Sequence, residues 1–247
     1  MSPVTPADPL APLTDLPGVS EAVAGVRDAL VAVHNHPANL RGWPAGAAEA
    51  GVRAARTSAA LDGVPLDADD SDPALVGAVR VAGAAGRLLS VWRTSPSQAL
   101  ARLHVLAASD LVPTGRHDAE LGRLRAGDGV ADRLALLAGL ITGGTRVPAP
   151  ILVAIVHGEL LAVQPFSSAN GVVARAAARL TAVVAGLDPK GLAVPEVGHL
   201  RRAAEYRSAA AGFAAGGADG VRTWLLHCCA QWEAGAKEAM SIADARA

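Results

Sequence analysis

The chain has 247 residues, 51% of them apolar and 18% charged, with 22 basic side chains against 23 acidic ones. A chain of this length buries a sizeable core, and so even a charge balance excludes the basic footprint expected of a nucleic-acid binder. Alanine abundance, few aromatics and arginine in large excess over lysine suggest close-packed helices, although a GC-rich coding bias gives the same skew. Only Cys228 and Cys229 are present, and neighbours on a helix point apart, so reduced thiols are expected.

In chain order, residues 1–18 hold five prolines and read as a flexible surface stretch. Ser20 and Glu21 open an apolar-periodic helix through Val23, Val26, Leu30 and Val33 that stops at His34-Asn-His-Pro37. A second helix covers about 47–61 and ends at Asp62-Gly63. After the acidic turn 67–72, Pro73 suits the first position of a helix running to about Trp92, and Ser95-Pro96-Ser97 restarts a shorter one to about Ser109.

Glycines and arginines break the pattern between Leu111 and Val130, where a short hairpin or mobile loop fits. Helix resumes over 131–141, breaks at Thr142-Gly-Gly-Thr145, and restarts behind Pro148 and Pro150. Residues 151–163 are apolar nearly all round, which predicts a central helix enclosed by others. Further helices are expected over about 171–186, 195–214 and 219–241, and no internal repeat is visible. The fold class is all-α, divided into 1–18, an N-terminal helical part 19–70, a core 71–190 and C-terminal helices 191–247.

The amino terminus lacks the basic start and apolar run of a secretory signal, and the apolar stretch 147–156 ends too early at His157-Gly-Glu159 to span a bilayer. A soluble cytoplasmic protein without membrane contact is expected. His34, His36, His104, His117, His199 and His227 show no metal-ligand spacing, so no metal site is assigned, and His157 reads as a core histidine. Trp224, Leu225, Cys228 and Trp232 form a helical core stripe, while Arg201, Arg202 and Arg207 form a solvated face.

Chemistry would sit at the junction of the central helix and its successor. A helix amino terminus presents unpaired N–H groups and partial positive charge, so a polar loop leading into one can hold an anion. Ser167, Ser168 and Asn170 supply polar groups there, Gly171 permits close backbone approach, and Arg175 lies one turn further in. Such junctions are more commonly plain helix caps.

Residues Gln164-Pro-Phe-Ser-Ser-Ala-Asn-Gly-Val-Val-Ala-Arg175 resemble the active-site loop of the Fic (Fido) family of AMP-transferases, whose pattern is His-x-Phe-x-acid-Gly-Asn-Gly-Arg-x-x-Arg. Phe166, Asn170, Gly171 and Arg175 match, with Pro165 common there and His157, Leu160 and Val163 fitting the frame upstream. Ser58-Ala-Ala-Leu-Asp62-Gly63 resembles the family's inhibitory-helix motif, Ser/Thr-x-x-x-Glu-Gly/Asn, with Asp for Glu. Gly122-Arg-Leu-Arg125 resembles the family's flap. The resemblance spans about residues 45–190 and implies a helical Fic bundle with a nucleotide site.

Four departures bear on activity. Gln164 stands where the family's histidine takes a proton from the target hydroxyl; an amide is not basic near neutral pH, and general base catalysis is worth roughly 10² to 10⁴ in rate. Ser168 replaces the acid that holds Mg²⁺, removing the charge a hard cation prefers. Ala169 replaces a glycine, and Val172 replaces the arginine that braces the outer phosphates. The resemblance also implies that Asp62 pairs with Arg175 across the pocket, since a buried charge is costly unless paired.

Three functions stay open. One is a catalytically silent module that senses ATP or another nucleotide, or binds a protein partner or second copy. A second is a transferase of AMP or another phosphate-containing group with altered catalytic residues. The third is a ligand-free helical scaffold.

Overall fold

The computed structural model describes residues 7–127 and 129–246, and the first six residues of the proline-rich stretch lie outside them. Twelve α-helices make up the described residues, with no strand among them. Helix α1 is Val19–Asn35, α2 Pro37–Arg41, α3 Trp43–Leu61, α4 Pro73–Thr94, α5 Pro96–Ala108, α6 His117–Glu120 and α7 Val130–Gly139. Then come α8 Ala149–Val163, α9 Asn170–Val184, α10 Pro195–Arg201, α11 Ala203–Ala215 and α12 Ala218–Asp244.

The expected punctuation governs these boundaries. Pro73 opens α4, and the Asp72 carboxylate accepts hydrogen bonds from the N–H groups of Ala74 and Leu75, both 3.0 Å. Gly143, at φ 113°, turns the chain out of α7 through the wide turn Leu140–Gly144.

Helix α8 is the axis of the molecule. Its apolar residues face every direction, so it must be surrounded: α9 packs back along it after a six-residue loop, and α11 and α12 cover another side. Gly158 makes the second contact possible, because a Cβ there would overlap Trp224 Nε1 and the Phe213 ring. Trp224 then donates its indole N–H to the Ala154 carbonyl at 2.8 Å, so a buried ring also satisfies its polar atom. Helix α3 lies across α4 and α9, which places its C-terminal end, carrying Ser58 and Asp62, at the amino end of α9.

Helix α4 is long and apolar enough by composition to cross a bilayer, yet it packs on α3, α5 and α9 and buries Leu75, Ala78, Val81, Ala84, Leu88 and Trp92.

Two expectations require correction, and one open alternative is decided. Residues 8–16 do not wander: Ala11–Asp15 is a 3₁₀ turn, and the Asp8 carboxylate accepts from Thr145 Oγ1 at 2.8 Å and from the Arg146 N–H at 2.6 Å. Of the hairpin and the loop expected between 111 and 130, the described residues form the loop, with a 3₁₀ turn Thr114–Arg116 and the single turn α6. The predicted helix 195–214 is two, because Arg202 leaves helical geometry (φ −121°, ψ 41°) between α10 and α11.

Candidate functional site

The loop between α8 and α9 is bent by backbone strain at both ends. Gln164 (φ 45°) and Ala169 (φ 53°) are the non-glycine residues with positive φ among the described residues. Left-handed backbone costs an L-residue roughly 1–2 kcal/mol, so surrounding contacts must hold this shape. Ala169 stands where the resembling pattern has glycine, and its left-handed geometry is the reason glycine suits that position.

Asn170 supplies one of those contacts. Its Oδ1 accepts from the Phe166 N–H at 2.9 Å and its Nδ2 donates to the Phe166 carbonyl at 2.8 Å, closing the loop on itself. The Phe166 ring is buried and stacks on His104, with centroids 4.2 Å apart and planes 3° from parallel. His104 Nδ1 accepts from the Gly122 N–H at 2.9 Å, which assigns its proton to Nε2, a buried atom without a partner. Burial pushes His104 down to about 4, so the ring is neutral near pH 7.

Segment 122–125 is tied to this loop through Arg125. Arg125 donates its backbone N–H to the Pro165 carbonyl at 2.9 Å, its Nε to the Gln164 carbonyl at 2.6 Å and its Nη2 to the Val163 carbonyl at 2.8 Å. A cation on the last carbonyls of α8 satisfies otherwise unpaired acceptors and complements the helix dipole.

Arg175 is the buried charge of the site. Its side chain is 3% exposed and 2.8 Å from Asp62 Oδ1 through Nη2, so the expected ion pair forms. Ser58 contributes twice, its Oγ accepting from Nε at 2.7 Å and its carbonyl from Nη2 at 2.9 Å, and the Tyr206 hydroxyl accepts from Nη1 at 3.3 Å. Burial opposes the guanidinium charge, and Tyr206 and Asp62 outweigh that opposition and hold Arg175 above its usual range. Asp62 reaches further: a Cβ on Gly171 would overlap its carboxylate. A negative group thus rests on the amino end of α9, where an anion is favoured. Gly63 (φ 103°) turns the chain away directly after Asp62.

Behind Arg175 is a polar cluster that sequence reading missed. The Tyr206 hydroxyl, which accepts from Arg175, also shares a hydrogen bond with His157 Nε2 at 2.9 Å. His199 Nδ1 and His227 Nε2 lie 3.1 Å apart beside them. Burial drives His157 and His199 well below the ordinary histidine range, with neighbouring positive groups adding to it, and His227 is lowered by burial too. His157 is therefore a satisfied core histidine, facing Tyr206 rather than the loop. Tyr206 and His199 carried no spacing signal, and their role arises from tertiary contact alone.

In front of the ion pair is a groove of about 340 Å³, lined by Asp62, Gln164, Ala169, Asn170, Gly171 and Val172 with Ala59, Ala74, Ala107 and Leu111. That volume lies within the range of small-molecule sites, roughly 300–1,000 Å³. Ser167 is exposed beside it, and the Ser168 Oγ is buried without a hydrogen-bond partner. The described residues bring together no group of three metal-ligating side chains.

Among solved structures, a Fic family protein from Desulfovibrio desulfuricans G20 superposes with a TM-score of 0.72 at 19% identity, covering 91% of this chain and 74% of that one. The chain has the Fic fold. Fic-1 from C. elegans gives a TM-score of 0.66 at 16% identity over 96% of this chain and 76% of that one, and a single-substitution variant of it gives 0.64 at 16% over 95% and 74%. No sequence-family model matches the chain, and no curated protein sequence does. Fic geometry without a sequence match fits a loop that keeps its shape-determining residues, Phe166, Asn170 and Gly171, and departs at Gln164, Ser168, Ala169 and Val172.

Proposed function

We propose that this chain is a Fic-fold module that binds ATP or another nucleotide in the groove beside the 164–170 loop without transferring AMP, and that Asp62 sets its affinity. The observation that carries this reading is the Asp62 carboxylate, which sits on Gly171 and pairs with Arg175 at 2.8 Å. An internal anion holds the position a phosphate would take, so a nucleotide must displace it.

The residues of the loop and the start of α9 support binding without transfer. Gln164 offers no base, Val172 no cation, and Ser168 a neutral hydroxyl in place of the carboxylate that Mg²⁺ would require. His157 provides no substitute base, being 4% exposed and bonded to Tyr206.

The test is a melting experiment with ATP and Mg²⁺ alongside incubation with labelled ATP. Nucleotide should raise the melting temperature and leave no label on this chain or on added protein. Label that disappears on Arg175→Ala would replace this reading with that of an altered transferase. A melting temperature indifferent to nucleotide in both the wild type and Asp62→Ala would replace it with that of a scaffold.

A further inference from the structure

The largest groove among those described is at the other end of α8, about 22 Å from the loop for a helix of 15 residues. It encloses about 610 Å³ between one face of α1, the start of α8 and the turn after α9. Its walls are apolar, formed by Leu30, Val31, Pro148, Pro150, Leu187 and Pro189, and Val31 is 57% exposed there.

Its polar groups are all neutral or basic. Arg27, Arg146, His34 and Asn35 line it, and no aspartate or glutamate is among the described residues that do. Neither arginine makes a side-chain ion pair or hydrogen bond among the described residues; the Asp8 carboxylate accepts from the Arg146 backbone N–H at 2.6 Å and attracts its side chain only through charge. His34 lines the groove with them, its Nε2 3.0 Å from Asp188 Oδ1, and both of its ring nitrogens are buried without a well-directed hydrogen bond. Asp188 is itself anchored by the N–H groups of Leu192 at 3.1 Å and Ala193 at 2.9 Å.

Two guanidinium groups over an apolar trough match a ligand with a negative head and a greasy body. Arginine forks recognise carboxylate and phosphate oxygens, and the trough rewards apolar area. We infer that this groove is a second binding site, separate from the nucleotide groove, for a small organic oxyanion that pairs one phosphate or carboxylate group with an apolar body. The inference does not depend on the proposed nucleotide function.

The probes are phenyl phosphate, benzoate, inorganic phosphate and phenol, titrated calorimetrically into the wild type, Arg27→Ala/Arg146→Ala and Asp62→Ala. Both arginines are exposed and their side chains hold no described contact, so the double variant should fold, which its melting curve checks. Phenyl phosphate or benzoate should bind saturably, several-fold more tightly than inorganic phosphate, and phenol not at all. The double variant should weaken that binding about tenfold or more, and Asp62→Ala should leave it unchanged. Absent binding, binding indifferent to the double variant, or phosphate binding as tightly as phenyl phosphate would each overturn the inference, as would a loss in Asp62→Ala.

Discussion

The front and the back of the Arg175 site are built differently. In front, the 164–170 loop spends its polar groups on its own shape: Asn170 closes on Phe166, and Gln164 and Ala169 hold strained left-handed backbone. Behind, the buried cation is held by Ser58, Tyr206 and, beyond it, His157, while Asp62 pairs with it from the groove side. A buried charge needs a full set of partners, so substitutions behind the cation should damage folding, while those in front should alter binding or leave stability little changed.

The comparison breaks most readily at Arg175 itself. Arg175→Met removes the charge that four bonds converge on and should destabilise the fold by about 2–3 kcal/mol, the cost of leaving the buried Ser58 and Tyr206 groups unpaired, since Asp62 is 34% exposed and can be solvated. Urea denaturation measures it, and a loss below about 1 kcal/mol would mean that the network contributes little.

Acid tests the same network, together with His104 beneath the front loop, without mutation. In the unfolded chain the histidines titrate near their ordinary value of 6.5, whereas burial lowers His157, His199, His227 and His104 in the fold, the last to about 4. As pH falls below about 6.5 the unfolded state binds protons that the native state refuses, so stability declines by up to about 1.4 kcal/mol per pH unit for each histidine. For His104 this loss is complete near pH 4. Urea midpoints from pH 7.5 to 4.5 should fall steadily; a flat profile would show that these rings are not held neutral.

The smallest effect belongs to the front. Ala169→Gly relieves left-handed strain at some entropic cost and should stabilise by about 0.5–1 kcal/mol, read as a higher urea midpoint.

The same division explains what the sequence made legible. Apolar residues all round 151–163 predicted an enclosed helix, and α8 is one, because such a segment has no face to give to water. The prolines and glycines at 72–73 and 142–145 marked boundaries through local backbone constraints. Asp62 and Arg175, 113 positions apart, could be paired beforehand only through the Fic resemblance, since no periodicity links α3 with α9. Tyr206 had neither kind of signal, and His157 was legible only as a core histidine: their contact joins α8 and α11 through tertiary packing. Asp8 docks because the turn at 145–146 offers it two donors, which a proline-rich composition cannot reveal. At Arg202 the apolar pattern ran on while the backbone turned.

If Asp62 occupies a phosphate seat on the amino end of α9, removing its carboxylate frees that seat. Calorimetric titration of ATP with Mg²⁺ into the wild type and Asp62→Ala, with Arg175→Ala as reference, tests it most directly. The account predicts that Asp62→Ala binds ATP about tenfold or more tightly than the wild type, through a charge-assisted contact that Arg175 regains. Equal affinity in the two proteins, or weaker binding by Asp62→Ala, would contradict it.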